Sequence, residues 1–175
     1  SVAWVGKKFP FELKNTLQKW DVVIFQGNST EPFSAKKDSR HYFTESAVKM
    51  ADMAHKEGSR VVYFMTWASK DKPEQTEKLE KAYLNIASKT GGYVAPVGLA
   101  FSNAIKTHPE INLYHSDGNH PSLAGTYLAA SVLFATLYDQ SPIGGALPAD
   151  SDMTEQTAKA LQQVAWDTVQ EFRAN

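Results

Sequence analysis

Three apolar runs, each followed by a helical pattern, restrict most severely what this chain can fold into. Val22-Val23-Ile24-Phe25 is continuous and β-branched, residues 60 to 67 read RVVYFMTW, and residues 93 to 96 read YVAP. Apolar runs without polar alternation belong to strands buried on both faces. Between them, apolar residues recur at three- and four-residue steps. Phe43, Ala47, Met50 and Ala54 predict a helix over 39–57 that Gly58 closes. Leu79, Ala82, Tyr83 and Ile86 predict another over 73–89, closed by Gly91-Gly92. A short helix is expected over 97–106 and a strongly apolar one over 121–138. A last amphipathic helix runs from a cap at Asp150 or Ser151 to about Phe172, with Leu161, Val164, Ala165 and Val169 on one face. Pro10 suits the first turn of a short helix ending near Trp20. Strands alternating with helices predict a layered α/β fold with a mostly parallel sheet. Ligands of such sheets sit beyond the carboxyl ends of the strands. The loops at 26–38 and 66–73 and the segment before residue 121 are therefore where chemistry is expected.

Composition narrows the function classes. At 175 residues the chain suits one domain with a real core. Its 18 basic and 19 acidic residues leave a net charge of −1, which offers no electrostatic footprint for nucleic acid and no polybasic face for a membrane. Cysteine is absent, which excludes disulfides, thiolate nucleophiles and cysteine metal ligands. No apolar stretch approaches the roughly 18 residues of a membrane span. The opening SVAWVGKKF lacks the parts of a signal peptide, and the compartment stays open.

The most informative segment is HSDGNHPSLAGTYLAA, residues 115–130. Asp117 and His120 lie three apart around Gly118-Asn119, a strong turn pair. Such a turn can fold a carboxylate onto imidazole Nδ1, fixing the tautomer and leaving Nε2 as a general base. Pro121 is expected to start the following helix. The plainer reading makes Asp117 and Asn119 turn formers and nothing more. A metal reading would gather His115, Asp117 and His120, but His41, His55 and His108 are scattered, the last two reading as surface residues, and no metal is expected. The other stretch is VVIFQGNST, residues 22–30, where a strand stops at Gly27-Asn28-Ser29. Asn28 could donate to an oxyanion, Ser29 could be a nucleophile, or the three residues could simply turn the chain. Gly27 is read as the residue that permits a sharp turn, and Trp67, at the end of the second run, as a core aromatic.

DGNHPS followed by LAGTYLAA resembles the last conserved block of the SGNH hydrolase superfamily, the GDSL-type esterases. WDVVIFQGN resembles that family's third block, although its G-x-N spacing is not literally met, since Gly27 adjoins Asn28. With VVYFMTWAS and YVAPVGLAF, the resemblance covers most of residues 20–145 and points to a bacterial branch. It implies a three-layer α/β/α, flavodoxin-like fold and a serine-dependent ester hydrolase, with no metal or organic cofactor. His120 and Asp117 would complete a triad, and Asn28 would be the oxyanion donor. The implied substrates are acetylated carbohydrates or short-chain esters. The family's first block, G-D-S or G-N-S on the central first strand, should lie well upstream of WDVVIFQGN, yet only 20 residues precede Asp21, with Gly6 a weak counterpart of the second-block glycine. The serine is therefore expected from a segment not in this chain, an N-terminal segment or a second chain that also completes the sheet. Without it, the strands at 22–26 and 60–65 would face an unfilled slot with unpaired backbone groups. Alternatively, Gly27-Asn28-Ser29 is itself the G-N-S block and Ser29 attacks, or the chain is a non-catalytic module that binds carbohydrate or protein.

Overall fold

A computed structural model describes residues 20–28, 31–34, 36–149 and 151–174. The helix expected from Pro10, and Gly6, Ser29 and Asp150, lie outside these residues. The element order is β1 (Val22–Phe25), α1 (Lys37–Lys56), β2 (Arg60–Phe64), α2 (Gln75–Thr90), β3 (Tyr93–Ala95), α3 (Val97–Thr107), α4 (Leu123–Tyr138) and α5 (Glu155–Ala174). This is the α/β alternation expected, with a three-stranded parallel sheet in the order β1-β2-β3. The chain divides into two compact units: one holds residues up to Phe64 and Lys81–Val94, the other Met65–Glu80 and everything from Ala95 onward.

In the first unit, β1 and β2 pair in register from Val22 with Arg60 to Phe25 with Tyr63. β2 thus faces no unfilled slot, having a neighbour on either side. β1 and β3 are the edge strands among the described residues, so of the two strands expected to face a slot only β1 has a side without a neighbour there. Helix α1 buries Phe43, Ala47, Ala51 and Ala54. Met50 is only partly covered, and the i+4 step from Ala47 to Ala51 carries the inner face instead. Gly58, at φ 81°, ends the helix in a conformation that side chains resist. His55 lies at the surface, as expected, but both ring nitrogens meet carbonyl oxygens, of Ser59 at 3.2 Å and Thr90 at 2.8 Å.

The second unit is built on helices α3, α4 and α5, which pack on one another. Helix α5 buries Leu161, Val164, Ala165 and Val169 within this unit, and Asn103 Nδ2 donates to Thr168 Oγ1 at 3.0 Å. Buried Gln162 ties the preceding link down: Nε2 donates to Tyr127 Oη at 2.6 Å and to the Gly145 carbonyl at 3.1 Å, while Oε1 accepts from Gly144 N–H at 3.0 Å.

Three boundaries differ from expectation for identifiable reasons. Strand β2 ends at Phe64 rather than Trp67. The Met65 N–H still reaches the Ala95 carbonyl at 3.1 Å, but the Met65 carbonyl accepts from Gly98 N–H at 3.0 Å, and the chain turns away into the site loop. Helix α4 starts at Leu123 because Ser122, extended at φ −70° and ψ −179°, is its cap, and Pro121 pairs with Tyr114 in an antiparallel bridge. Helix α5 starts at Glu155, where Thr154 Oγ1 accepts from Thr157 N–H at 3.1 Å, while Ser151 donates to the Pro148 carbonyl instead of capping.

Candidate active site

The segment between α3 and α4 forms a turn closed on itself. The His115 N–H donates to the His120 carbonyl at 2.8 Å, and the Gly118 N–H donates to the His115 carbonyl at 3.0 Å. Gly118 has φ 68°, the left-handed conformation that glycine adopts without strain. Inside this turn Asp117 Oδ1 accepts from the N–H groups of Asn119 and His120, each at 2.9 Å. Its other oxygen, Oδ2, lies 2.5 Å from His120 Nδ1. The hydrogen bond to His120, followed by the two backbone N–H bonds, holds the Asp117 carboxyl well below the usual carboxylate range. An ionised carboxylate only accepts, so Nδ1 carries the proton. In the neutral imidazole Nε2 then keeps its lone pair. Nε2 has no hydrogen-bond partner among the described residues, and the His120 side chain is 74% exposed.

Residues from the loop after β2 hold the turn in place. The indole Nε1–H of Trp67 donates to the Asn119 carbonyl at 2.9 Å. Ser69 Oγ donates to Asn119 Oδ1 at 3.2 Å, and the Lys70 N–H donates to the Gly118 carbonyl at 2.9 Å. Trp67 is not the core residue expected. It is half-buried and lies flat on Phe101, with ring centroids 4.5 Å apart and planes 7° from parallel. Downstream, Ser122 Oγ accepts from Gly125 N–H at 3.2 Å and donates to the Asn112 carbonyl at 2.7 Å, so one hydroxyl both caps α4 and ties it to the strand-like segment before the turn. A side chain at Gly125 would place its Cβ 2.3 Å from the Leu113 carbonyl oxygen, so this close approach requires glycine. His115 Nδ1 meets the Ser116 hydroxyl at 3.1 Å. Among the described residues no group of three or more histidine and acidic side chains is placed to hold a metal ion.

Asn28 belongs to the first unit, three residues beyond the end of β1. Its N–H donates to Glu31 Oε2 at 3.3 Å and its carbonyl accepts from Glu31 N–H at 3.0 Å, so the backbone is fixed and the residue is exposed. Gly27 does not take the positive φ that the sharp-turn reading implied. Its requirement is for space: a Cβ there would lie 2.8 Å from the Phe43 ring, and its N–H reaches Tyr83 Oη at 3.4 Å. The roles of Trp67, Ser69 and Ser122 were not evident in the sequence. Placing the loop 66–73 at a strand's carboxyl end was the signal that could have found the first two.

No family model matches the chain, and no curated protein matches it in sequence. Two solved structures share its backbone. A DUF4886 family protein from Bacteroides uniformis superposes with a TM-score of 0.73 at 20% identity, over 90% of this chain and 66% of its own. A protein from Slackia heliotrinireducens described as a "putative SGNH hydrolase" gives 0.60 at 26% identity, over 72% of this chain and 70% of its own. The fold is SGNH-like. The chain thus spans about two thirds of each solved neighbour. No helix among the described residues is long and apolar enough to cross a membrane.

Proposed function

We propose that this chain carries the acid–base half of an SGNH-type ester hydrolase, with His120 as general base, Asp117 as its orienting carboxylate and Asn28 as oxyanion donor. The observation that carries the reading is the 2.5 Å contact between Asp117 Oδ2 and His120 Nδ1, made by a carboxylate that two further N–H groups keep ionised. In this mechanism Nε2 takes the proton of a serine hydroxyl as the oxygen attacks the ester carbonyl. The imidazolium, stabilised by Asp117, then returns that proton to the departing alcohol, and water releases the acyl group by the same relay. Asn28 would donate to the tetrahedral oxyanion, a contribution of about 3 kcal/mol for one such donor.

The serine in this reading comes from a segment not in this chain, which would also pair with β1 on the side that has no neighbour among the described residues. The support is that no serine hydroxyl among the described residues bonds Nε2, and that β1 has one neighbour there. Ser29, outside the described residues, is the alternative nucleophile. Labelling the protein from its native source with a serine-reactive fluorophosphonate, then mapping the adduct by mass spectrometry, separates these readings. An adduct that disappears in His120→Ala supports the hydrolase, and its position identifies the serine. If no adduct forms and p-nitrophenyl acetate gives no burst, the hydrolase reading is overturned in favour of a binding module.

A further inference from the structure

Within the second unit, a cavity of about 170 Å³, partly open to solvent, lies between the start of α2 and helix α3. The rings of Phe101 and Tyr114 line it, with Pro73 from the α2 side and Ile105 from the α3 side. The two rings meet edge to face, with centroids 5.8 Å apart and planes at 70°. Neither Asp117 nor His120 lines this cavity. An apolar cavity of about 150 Å³ accepts benzene, so the volume suits a single ring. Among the lining side chains one carries a charge, and it is positive: Lys106, in the last turn of α3. Lys106 is exposed and forms no ion pair among the described residues. A lysine stem lies along apolar surface while its ammonium stays in water, where it can meet an anion. Small-molecule sites have this make-up, apolar walls with a few polar groups that fix orientation.

We propose that this cavity binds a single-ring aromatic carboxylate, its ring against Phe101 and Tyr114 and its carboxylate at the Lys106 ammonium. Aromatic rings favour the offset and edge-to-face contacts that such a pair of rings offers. No acidic side chain lines the cavity, so nothing in its walls opposes an anion. An acid as small as acetate leaves the apolar walls unfilled, and a neutral ring of the same size leaves Lys106 without a partner. The assignment does not depend on the hydrolase reading. Occupancy is nonetheless expected to be felt in the loop that braces the His120 turn. Phe101 carries the Trp67 ring, and Tyr114 Oη donates to the Ala68 carbonyl at 2.8 Å.

In ¹⁵N-labelled protein the Trp67 indole N–H resonance, identified by its loss in Trp67→Phe, is followed during separate titrations with benzoate, benzyl alcohol and acetate. Benzoate is expected to shift the resonance and saturate, with NOEs from its ring to the rings of Phe101 and Tyr114. Benzyl alcohol is expected to bind about fivefold more weakly, the worth of an exposed ion pair, and acetate to leave the resonance in place. Lys106→Gln should weaken benzoate by the same factor and leave benzyl alcohol unchanged, so that the two ligands bind equally. Lys106 is exposed and unpaired among the described residues, so this variant is expected to keep the fold. A benzoate titration that does not saturate, an equal response to acetate, or NOEs only to other residues overturns the proposal. Equal affinity for benzoate and benzyl alcohol in the unaltered protein overturns it too, as does a preference for benzoate that survives in Lys106→Gln. None of these readouts needs turnover, so they decide the cavity's role whether or not the chain hydrolyses esters.

Discussion

Asp117 makes three hydrogen bonds with one carboxylate, and all three favour the ionised form. The sign of its pH dependence follows. A group whose folded pKa is depressed contributes stability that is complete above its unfolded value, about 3.9 for aspartate, and lost as pH falls through the folded one. The difference in urea midpoint between the unaltered protein and Asp117→Asn should therefore persist at pH 5 and shrink progressively as the pH is lowered below 4. A difference independent of pH would mean the carboxylate is not held ionised. In the hydrolase reading the same substitution removes the acceptor that fixes the imidazole tautomer, and kcat should fall by about four orders of magnitude. Trp67 offers a subtler residue-scale test. Trp67→Phe keeps a ring against Phe101 but deletes the donor to the Asn119 carbonyl, which should lower stability by about 1 kcal/mol in denaturant titrations.

At the scale of elements, helix α4 shows how a site and a helix start share residues. Ser122 caps the helix, and the turn bearing His120 ends immediately before the Pro121–Tyr114 bridge that precedes the cap. Ser122→Ala should cost about 1 kcal/mol from the cap, measured by urea unfolding, with a further loss from the bond to the Asn112 carbonyl. Helix interiors and strands were legible in the sequence because apolar period and β-branching report burial directly. Ends were less so. Asp150, Ser151 and Thr154 are all competent caps, and the choice of Thr154 depends on where α5 must lie to bury Leu161 and Val169. The contact of Asp117 with His120 was legible because both partners lie in one turn. The bonds from Trp67 and Ser69 join residues about fifty positions apart, which no local pattern encodes.

On the scale of the whole molecule, the sheet makes a specific prediction about protection. In a parallel pair an edge strand engages alternate N–H groups with its one neighbour, leaving the others to solvent. With β2 as its one neighbour among the described residues, Val22–Phe25 should show alternating slow and fast amides in hydrogen exchange. Protection of all four would reveal a further strand on the outer edge of β1. If a separate serine-bearing segment is what completes the sheet, adding it should convert the alternating pattern into a uniform one. That β2 has a neighbour on either side, while β1 has one among the described residues, could not be read from the sequence, because only pairing shows which strand is flanked on both sides.

The carboxylate and imidazole of the candidate site are joined by a loop of four residues, from Asp117 to His120. Closing so short a loop takes little chain entropy, and the contact does not wait on long-range assembly. The pair is thus portable. Transplanting it onto another scaffold would require only the turn, the Ser122 cap and the Trp67–Lys70 segment that braces it from behind. In the hydrolase reading, the same logic lets the site lose or exchange a distant nucleophile without disturbing the contact of Asp117 with His120.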